Sequence, residues 1–206
     1  MLIITNWDDK SIVRKHLTVL GGGLAGCEAA WQAVERGLNV LLLEMCPYKS
    51  TDMQRTGDLA EMVCSNSLCS LLPDRAGSVL KREFERLGSL LMACAWKIAV
   101  PAAAVLVVDR ERFTRAVMYQ TESHPKLVVR AEETEDIPAS PMIMATGPFT
   151  FPALSDVIGR LTGSDHLYFY DTIARVITVG PIDRQVVFSL SRRVRPAQVH
   201  RRASVE

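Results

Sequence analysis

Two stretches of this sequence hold residues whose types and spacing could do chemistry. Gly21–Gly26 (GGGLAG) places glycines at 21, 23 and 26, and Ala60–Ser70 (AEMVCSNSLCS) places cysteines at 64 and 69 around Ser-Asn-Ser. A glycine turn at a helix start can cradle phosphate on backbone N–H groups. A cysteine can be a nucleophile, a metal ligand or a small core residue. The Cys64/Cys69 pair is C-x4-C with no second pair and no nearby histidine, so no zinc or other metal site is expected. Cys27 and Cys94 read as small core residues. His16, His124, His166 and His200 are scattered, with no serine or carboxylate constellation, and receive no role.

The glycines gain meaning from the elements that must position them. HLTVL (His16–Leu20) is a short apolar run that stops at the glycines. AGCEAAWQAVERG then has helical spacing and ends at Gly37, and LNVLLLEM is an apolar run of strand length. This order is a βαβ unit. In it Gly21 permits the tight turn, Gly23 lets a pyrophosphate approach, and Gly26 lets helix and strand pack. Gly22, Leu24 and Ala25 complete the turn and offer backbone N–H groups. Glu44, eighteen residues after Gly26 at the end of the second strand, is placed to accept from an adenosine ribose. A bare βα turn would explain the glycines alone, but not the helix, second strand and terminal acid together.

Beyond this unit, residues 46–73 show no sustained period and read as a long loop, a length that tends to be functional. Arg75 to Trp96 reads as one amphipathic helix with Val79, Phe84, Leu87, Leu90 and Leu91 on its apolar face. AAVLVVD is a strand, and RERFTRAVMYQTES is a helix with Asp109 as its N-cap. KLVVRAE and PMIMATG are two further strands. The alternation predicts a doubly wound, Rossmann-like α/β domain. MIMATG ends in Thr146-Gly147, which resembles the second crossover of FAD-binding folds of the glutathione-reductase type and favours FAD over NAD.

The totals fit such a domain. The chain has 206 residues, 48% hydrophobic and 23% charged, and no apolar run approaches a membrane span. No secretory signal pattern opens it, and five cysteines without a framework suit a reducing cytoplasm. The net charge of +1 conceals an acidic body and a basic end. Residues 175–206 hold seven arginines against Asp183 and Glu206.

With those residues in view, the chain resembles the bacterial folate- and FAD-dependent tRNA (uracil-5-)-methyltransferases. The matching stretches are GGGLAGCEAAWQAVERG, LLLEM, AEMVCSNSL, VPAAAVLVVDRERF, IMATGP and LTGSDHLYFYD, in order across residues 19–171. The resemblance implies an FAD cofactor, NAD(P)H and methylenetetrahydrofolate as co-substrates, and methylation of uracil C5 in a T-loop uridine of tRNA. Uracil C5 becomes nucleophilic once something adds to C6, and thiolate is the usual agent. Cys64 matches the family's first catalytic cysteine, acting either as nucleophile or in proton removal. Other flavoprotein oxidoreductases, carboxymethylaminomethyl-type tRNA modifiers and a non-catalytic remnant are the competing readings.

The chain also departs from the family pattern. The family has arginine where Cys46 and Cys69 stand, a glycine pair where Ala103 and Ala104 stand, histidines near Gln54 and Arg55, and proline at Arg175. The expected organisation is an N-terminal extension (1–16), an FAD-binding domain (17–174) and the start of an inserted domain (175–206). The loss of pattern after Arg192 suggests a shifted reading frame and a disordered basic tail. On this reading the fold is truncated before its closing C-terminal segment. A truncated or impaired member would bind flavin weakly or not at all and transfer no methyl group.

Overall fold

The computed structural model describes residues 16–46, 56–63, 65–102, 104–134, 137, 141–147 and 150–163. The expectations for Cys64, for most of the N-terminal extension and for the basic tail lie outside the described residues.

Strand β1 (His16–Leu20) leads through the glycine turn into helix α1 (Leu24–Glu35) and then β2 (Asn39–Glu44). Gly37, with φ of +89°, ends the helix as expected. β1 and β2 pair in parallel, with Val19 opposite Leu42 and Leu20 opposite Leu43. β6 (Leu127–Ala131) joins β2 and β7 (Met142–Met144) joins β1, both in parallel. The sheet order is β6-β2-β1-β7. The chain therefore walks outward from β1 through β2 to β6, then returns to the other side of β1. That reversal opens a crevice beyond the carboxyl ends of β1 and β7, which is where α/β sheets bind ligands.

Small residues bring α1 close to this sheet. Its buried positions are Gly26, Cys27, Ala30, Ala33 and Val34. Helix α4 (Arg110–Ser123) buries Phe113, Thr114, Val117 and Thr121, and starts where expected, with Asp109 Oδ1 accepting from Arg112 N at 2.9 Å. A buried Phe113 alone accounts for roughly 2–3 kcal/mol of burial free energy.

Three sequence expectations need correction. The strand in AAVLVVD, β5 (Val105–Val108), is not part of the parallel sheet. It sits at the centre of a separate antiparallel sheet of order β3-β5-β4, with β3 at Ser67–Ser70 and β4 at Ala99–Val100. An apolar run specifies burial but not its pairing partner, so periodicity alone could not assign the sheet. For the same reason the loop read over 46–73 contains β3.

The third correction concerns Arg75–Trp96, which forms two helices, α2 (Ala76–Arg86) and α3 (Leu90–Lys97). Gly88 adopts φ of +74°, ending α2, and the Ser89 hydroxyl caps α3 by accepting from Met92 N at 3.2 Å. α2 is also turned about from the expected orientation. Val79, Phe84 and Leu87 are 46%, 39% and 58% exposed, whereas Ser78 and Lys81 are its buried residues. α3 buries Leu90, Met92, Cys94 and Ala95 in the main core.

Candidate nucleotide-binding cleft

Two of the motif glycines have a steric reason to be glycine, and the third faces open space. Gly21 has φ of +96°, and a Cβ there would lie 2.5 Å from the Ala145 carbonyl oxygen. A Cβ on Gly26 would lie 1.7 Å from the Gly21 carbonyl oxygen, so α1 can approach the turn only without it. Gly23 differs: its φ is −68° and nothing lies within 4 Å of its would-be Cβ. The space above Gly23 is open, as the approach of a phosphate requires.

The start of α1 is prepared for an anion. Gly23 is its N-cap, no side chain caps it, and its first turn contains no acid. The leading N–H groups and the positive end of the helix dipole face outward with no side-chain competitor.

Around the turn lies a cleft of about 610 Å³. Gly21, Gly22, Gly23, Leu24, Ala25, Glu44, Thr146 and Gly147 all line it. Gly26 does not; it is the packing glycine beneath. Cys64 lies outside the described residues, but its neighbours Val63 and Ser65 line the same cleft.

Glu44 is 8% exposed and partly committed to the backbone. Its Oε2 accepts from Gly22 N, and its Oε1 accepts from Cys46 N at 3.1 Å. A carboxylate has about four lone-pair sites, so acceptor capacity remains for ribose hydroxyls. Just past β7 the Thr146 and Thr150 hydroxyls are 2.6 Å apart, and Thr150 Oγ1 donates to Gly147 O at 3.0 Å. Gly147 adopts φ of +73°, and Thr146 Cα would lie 2.9 Å from a Cβ on Gly21. The ends of β1 and β7 thus meet at one edge of the cleft.

Sequence reasoning missed several supports of this turn. Ala60, with φ of +54°, donates its N–H to Gly22 O at 2.8 Å, and Leu59 packs over Gly22. Nothing in the residue type alanine signals a left-handed backbone. The Cys27 thiol also donates to Gly22 O, at 3.2 Å. Burial pushes that thiol up to about 12, against the Ala60 backbone hydrogen bond and with the charges of Glu44 and Glu28 adding to the rise. It is an inert structural thiol, as expected. Burial likewise pushes the Cys94 thiol up, against the nearby charge of Lys97.

Glu28, another missed residue, reaches from α1 to the start of α3. Its Oε2 accepts from Ser89 Oγ at 2.8 Å and from Leu91 N at 3.1 Å.

The two positions where the resemblance expects arginine have different surroundings. Cys46 is buried behind Glu44, whereas Cys69 is exposed and lines the cleft with φ of +67°. Among the described residues the cleft lining includes Asp58, Glu61, Glu132 and Glu133 besides Glu44, and no lysine or arginine. An anion here depends on backbone N–H groups and the helix dipole rather than on side-chain cations.

Among the described residues no group of three or more His, Cys, Asp or Glu could hold a metal ion, and no helix is long and apolar enough to cross a membrane.

Comparison with known proteins identifies a family and a fold. Residues 16–204 match the protein family described as glucose inhibited division protein A. The methylenetetrahydrofolate–tRNA-(uracil-5-)-methyltransferase TrmFO of Desulforudis audaxviator is 50% identical over 175 residues, which are 84% of this chain and 40% of that protein. The TrmFO of Heliobacterium modesticaldum is 46% identical over 177 residues, again 40% of its length. The chain thus spans about two fifths of these relatives. Among solved structures, GidA of Aquifex aeolicus in its form I crystal has the same fold over 65% of this chain, with a TM-score of 0.52 and 19% identity. That match covers 25% of the GidA chain.

Proposed function

The chain belongs to the glucose inhibited division protein A family, and from that premise we propose that it supplies the FAD-binding part of a folate-dependent tRNA (uracil-5-)-methyltransferase. The observation that carries the nucleotide half of this reading is the open space over Gly23 at the uncapped start of α1. The identity of the reaction rests on the close relatives named for it.

In this reading the N–H groups at Gly23, Leu24 and Ala25 hold the pyrophosphate, and Glu44 accepts from the ribose hydroxyls. Gly21 and Gly26 keep β1 and α1 close enough to present those N–H groups. Gly22 fixes the carboxylate of Glu44 through its own N–H. Thr146 and Gly147, which line the cleft beside Gly21, would contact the same bound cofactor.

When bound and reduced by NAD(P)H, FAD supplies the two electrons that convert the methylene carbon of methylenetetrahydrofolate to a methyl on uracil C5. Cys64 is the thiol we assign to uracil activation or proton removal on the tRNA substrate. The reading places the protein in a reducing cytoplasm, in keeping with five cysteines that form no disulfide framework in the sequence.

A chimera tests the reaction. The aligned stretch of this chain would replace its counterpart in the Desulforudis relative, and 5-methyluridine formation in T-loop tRNA would be measured with methylenetetrahydrofolate. The expected result is methyl transfer that is lost in Cys64→Ala. A chimera that binds FAD and tRNA yet forms no 5-methyluridine would overturn the proposal.

A further inference from the structure

Helix α2 is tied to the cleft wall by polar groups rather than by its apolar face. Its two buried residues both donate to main-chain carbonyls of the neighbouring segment. Ser78 Oγ donates to Leu71 O at 3.3 Å, and Lys81 Nζ donates to Leu68 O at 2.8 Å and to Gly77 O at 2.7 Å. Lys81 is only 6% exposed, while Val79 and Leu80 beside it are about half exposed. Burying an ammonium group costs several kcal/mol unless hydrogen bonds and charges compensate, so this arrangement calls for a reason.

The carbonyl that Lys81 takes lies in an irregular part of β3. Ser67 pairs with Val107 and Ser70 with Val105, and the register shifts between them. Cys69, inside that irregularity, has φ of +67°, a conformation costly for a residue with a Cβ. Ser67, Leu68 and Cys69 all line the cleft. Gly77 allows the close approach: a Cβ there would lie 3.1 Å from Cys69 Cβ and 3.8 Å from Lys81 Nζ.

We propose that Lys81 is a positioning residue for the cleft: its buried ammonium holds the Leu68 carbonyl and so fixes the Ser67–Cys69 bulge as a wall of the site. The role of that wall toward FAD rests on the function proposed above; its conformation does not. The lysine acts through β3 and touches no reacting atom.

The test uses the full chain as wild type, Lys81→Met and Lys81→Arg. Hydrogen exchange over residues 65–72 and the alkylation rate of Cys69, followed by peptide mass spectrometry, report the bulge directly. FAD, added as the probe, reports the site through flavin fluorescence. Lys81→Met is expected to raise exchange over 65–72 and change Cys69 alkylation at least 5-fold, with exchange over 16–44 unchanged. It is expected to weaken FAD binding about 10-fold, and Lys81→Arg is expected to restore most of both effects. Unchanged exchange and alkylation in Lys81→Met would overturn the proposal. So would a uniform rise across the whole chain, which marks a purely global role. A wild type that takes up no FAD would count against the flavin reading alone, because exchange and alkylation still decide the claim for Lys81.

Discussion

Replacing Gly23 and Gly26 separately by alanine should separate binding from folding, although both changes add one methyl to the same turn. At Gly26 the new Cβ would stand 1.7 Å from the Gly21 carbonyl oxygen, against an ordinary contact beginning near 3.4 Å. The atom in the way is backbone at the end of β1, so no side chain can swing aside. α1 would have to retreat by about 1.7 Å, the difference between those two distances, and loosen its packing of Cys27, Ala30 and Val34 on the sheet. Overpacking of this kind costs typically ~1–3 kcal/mol, and a backbone clash belongs at the upper end. At Gly23 the φ of −68° suits any residue and the Cβ meets nothing within 4 Å. Replacing glycine by alanine at such a position leaves stability unchanged or raises it by about 0.4–1 kcal/mol. The methyl would, however, occupy the space assigned to the pyrophosphate. Urea denaturation and FAD titration on both variants give the comparison. Gly26→Ala should lose about 3 kcal/mol, whereas Gly23→Ala should keep its stability and lose at least 10-fold in FAD affinity. A Gly23→Ala variant that binds FAD like the wild type would refute the placement of the phosphates. Wild-type stability in Gly26→Ala would refute the packing argument.

Three further outcomes are expected. Glu28→Ala should lower stability by about 2 kcal/mol in urea denaturation, since hydrogen bonds to a charged group contribute roughly 1.5–3 kcal/mol and Ser89 and Leu91 would lose their acceptor. Asp109→Ala should cost about 1 kcal/mol through loss of the α4 cap, measured in the same way. The Cys27 thiol, raised from an ordinary value of 9.0 to about 12 by burial, favours its protonated form in the fold. Its contribution is therefore complete below pH 9 and is lost as pH rises toward 12. Melting temperature should fall more steeply across that window in wild type than in Cys27→Ala; equal slopes would show that Cys27 is not the titrating group.

The glycine turn was legible in the sequence because its demands are local: the structure shows a steric reason at 21 and at 26, and open space at 23. Asp109 was legible for the same reason, as one hydroxyl-free acid immediately before a periodic run. What stayed hidden depends on contacts distant in sequence. Leu59 and Ala60 support Gly22 through a loop with no periodic signal, and Glu28 caps a helix sixty-one residues ahead at Ser89. The assignment of β5 to a second sheet and the turning of α2 failed for a related cause. Periodicity identifies an apolar face but not which face the remainder of the fold will cover, and on α2 two polar side chains bonded to carbonyls decide the orientation.

The central claim is that the cleft beside Gly23 binds FAD. Purified chain should be titrated with FAD while flavin fluorescence and visible absorption are followed, with Gly23→Ala in parallel. The account predicts saturable one-to-one binding, weaker than in the longer relatives of which this chain spans two fifths, that Gly23→Ala weakens at least a further 10-fold while both proteins unfold at the same urea concentration. A folded wild-type chain that leaves flavin fluorescence unchanged throughout the titration would contradict it.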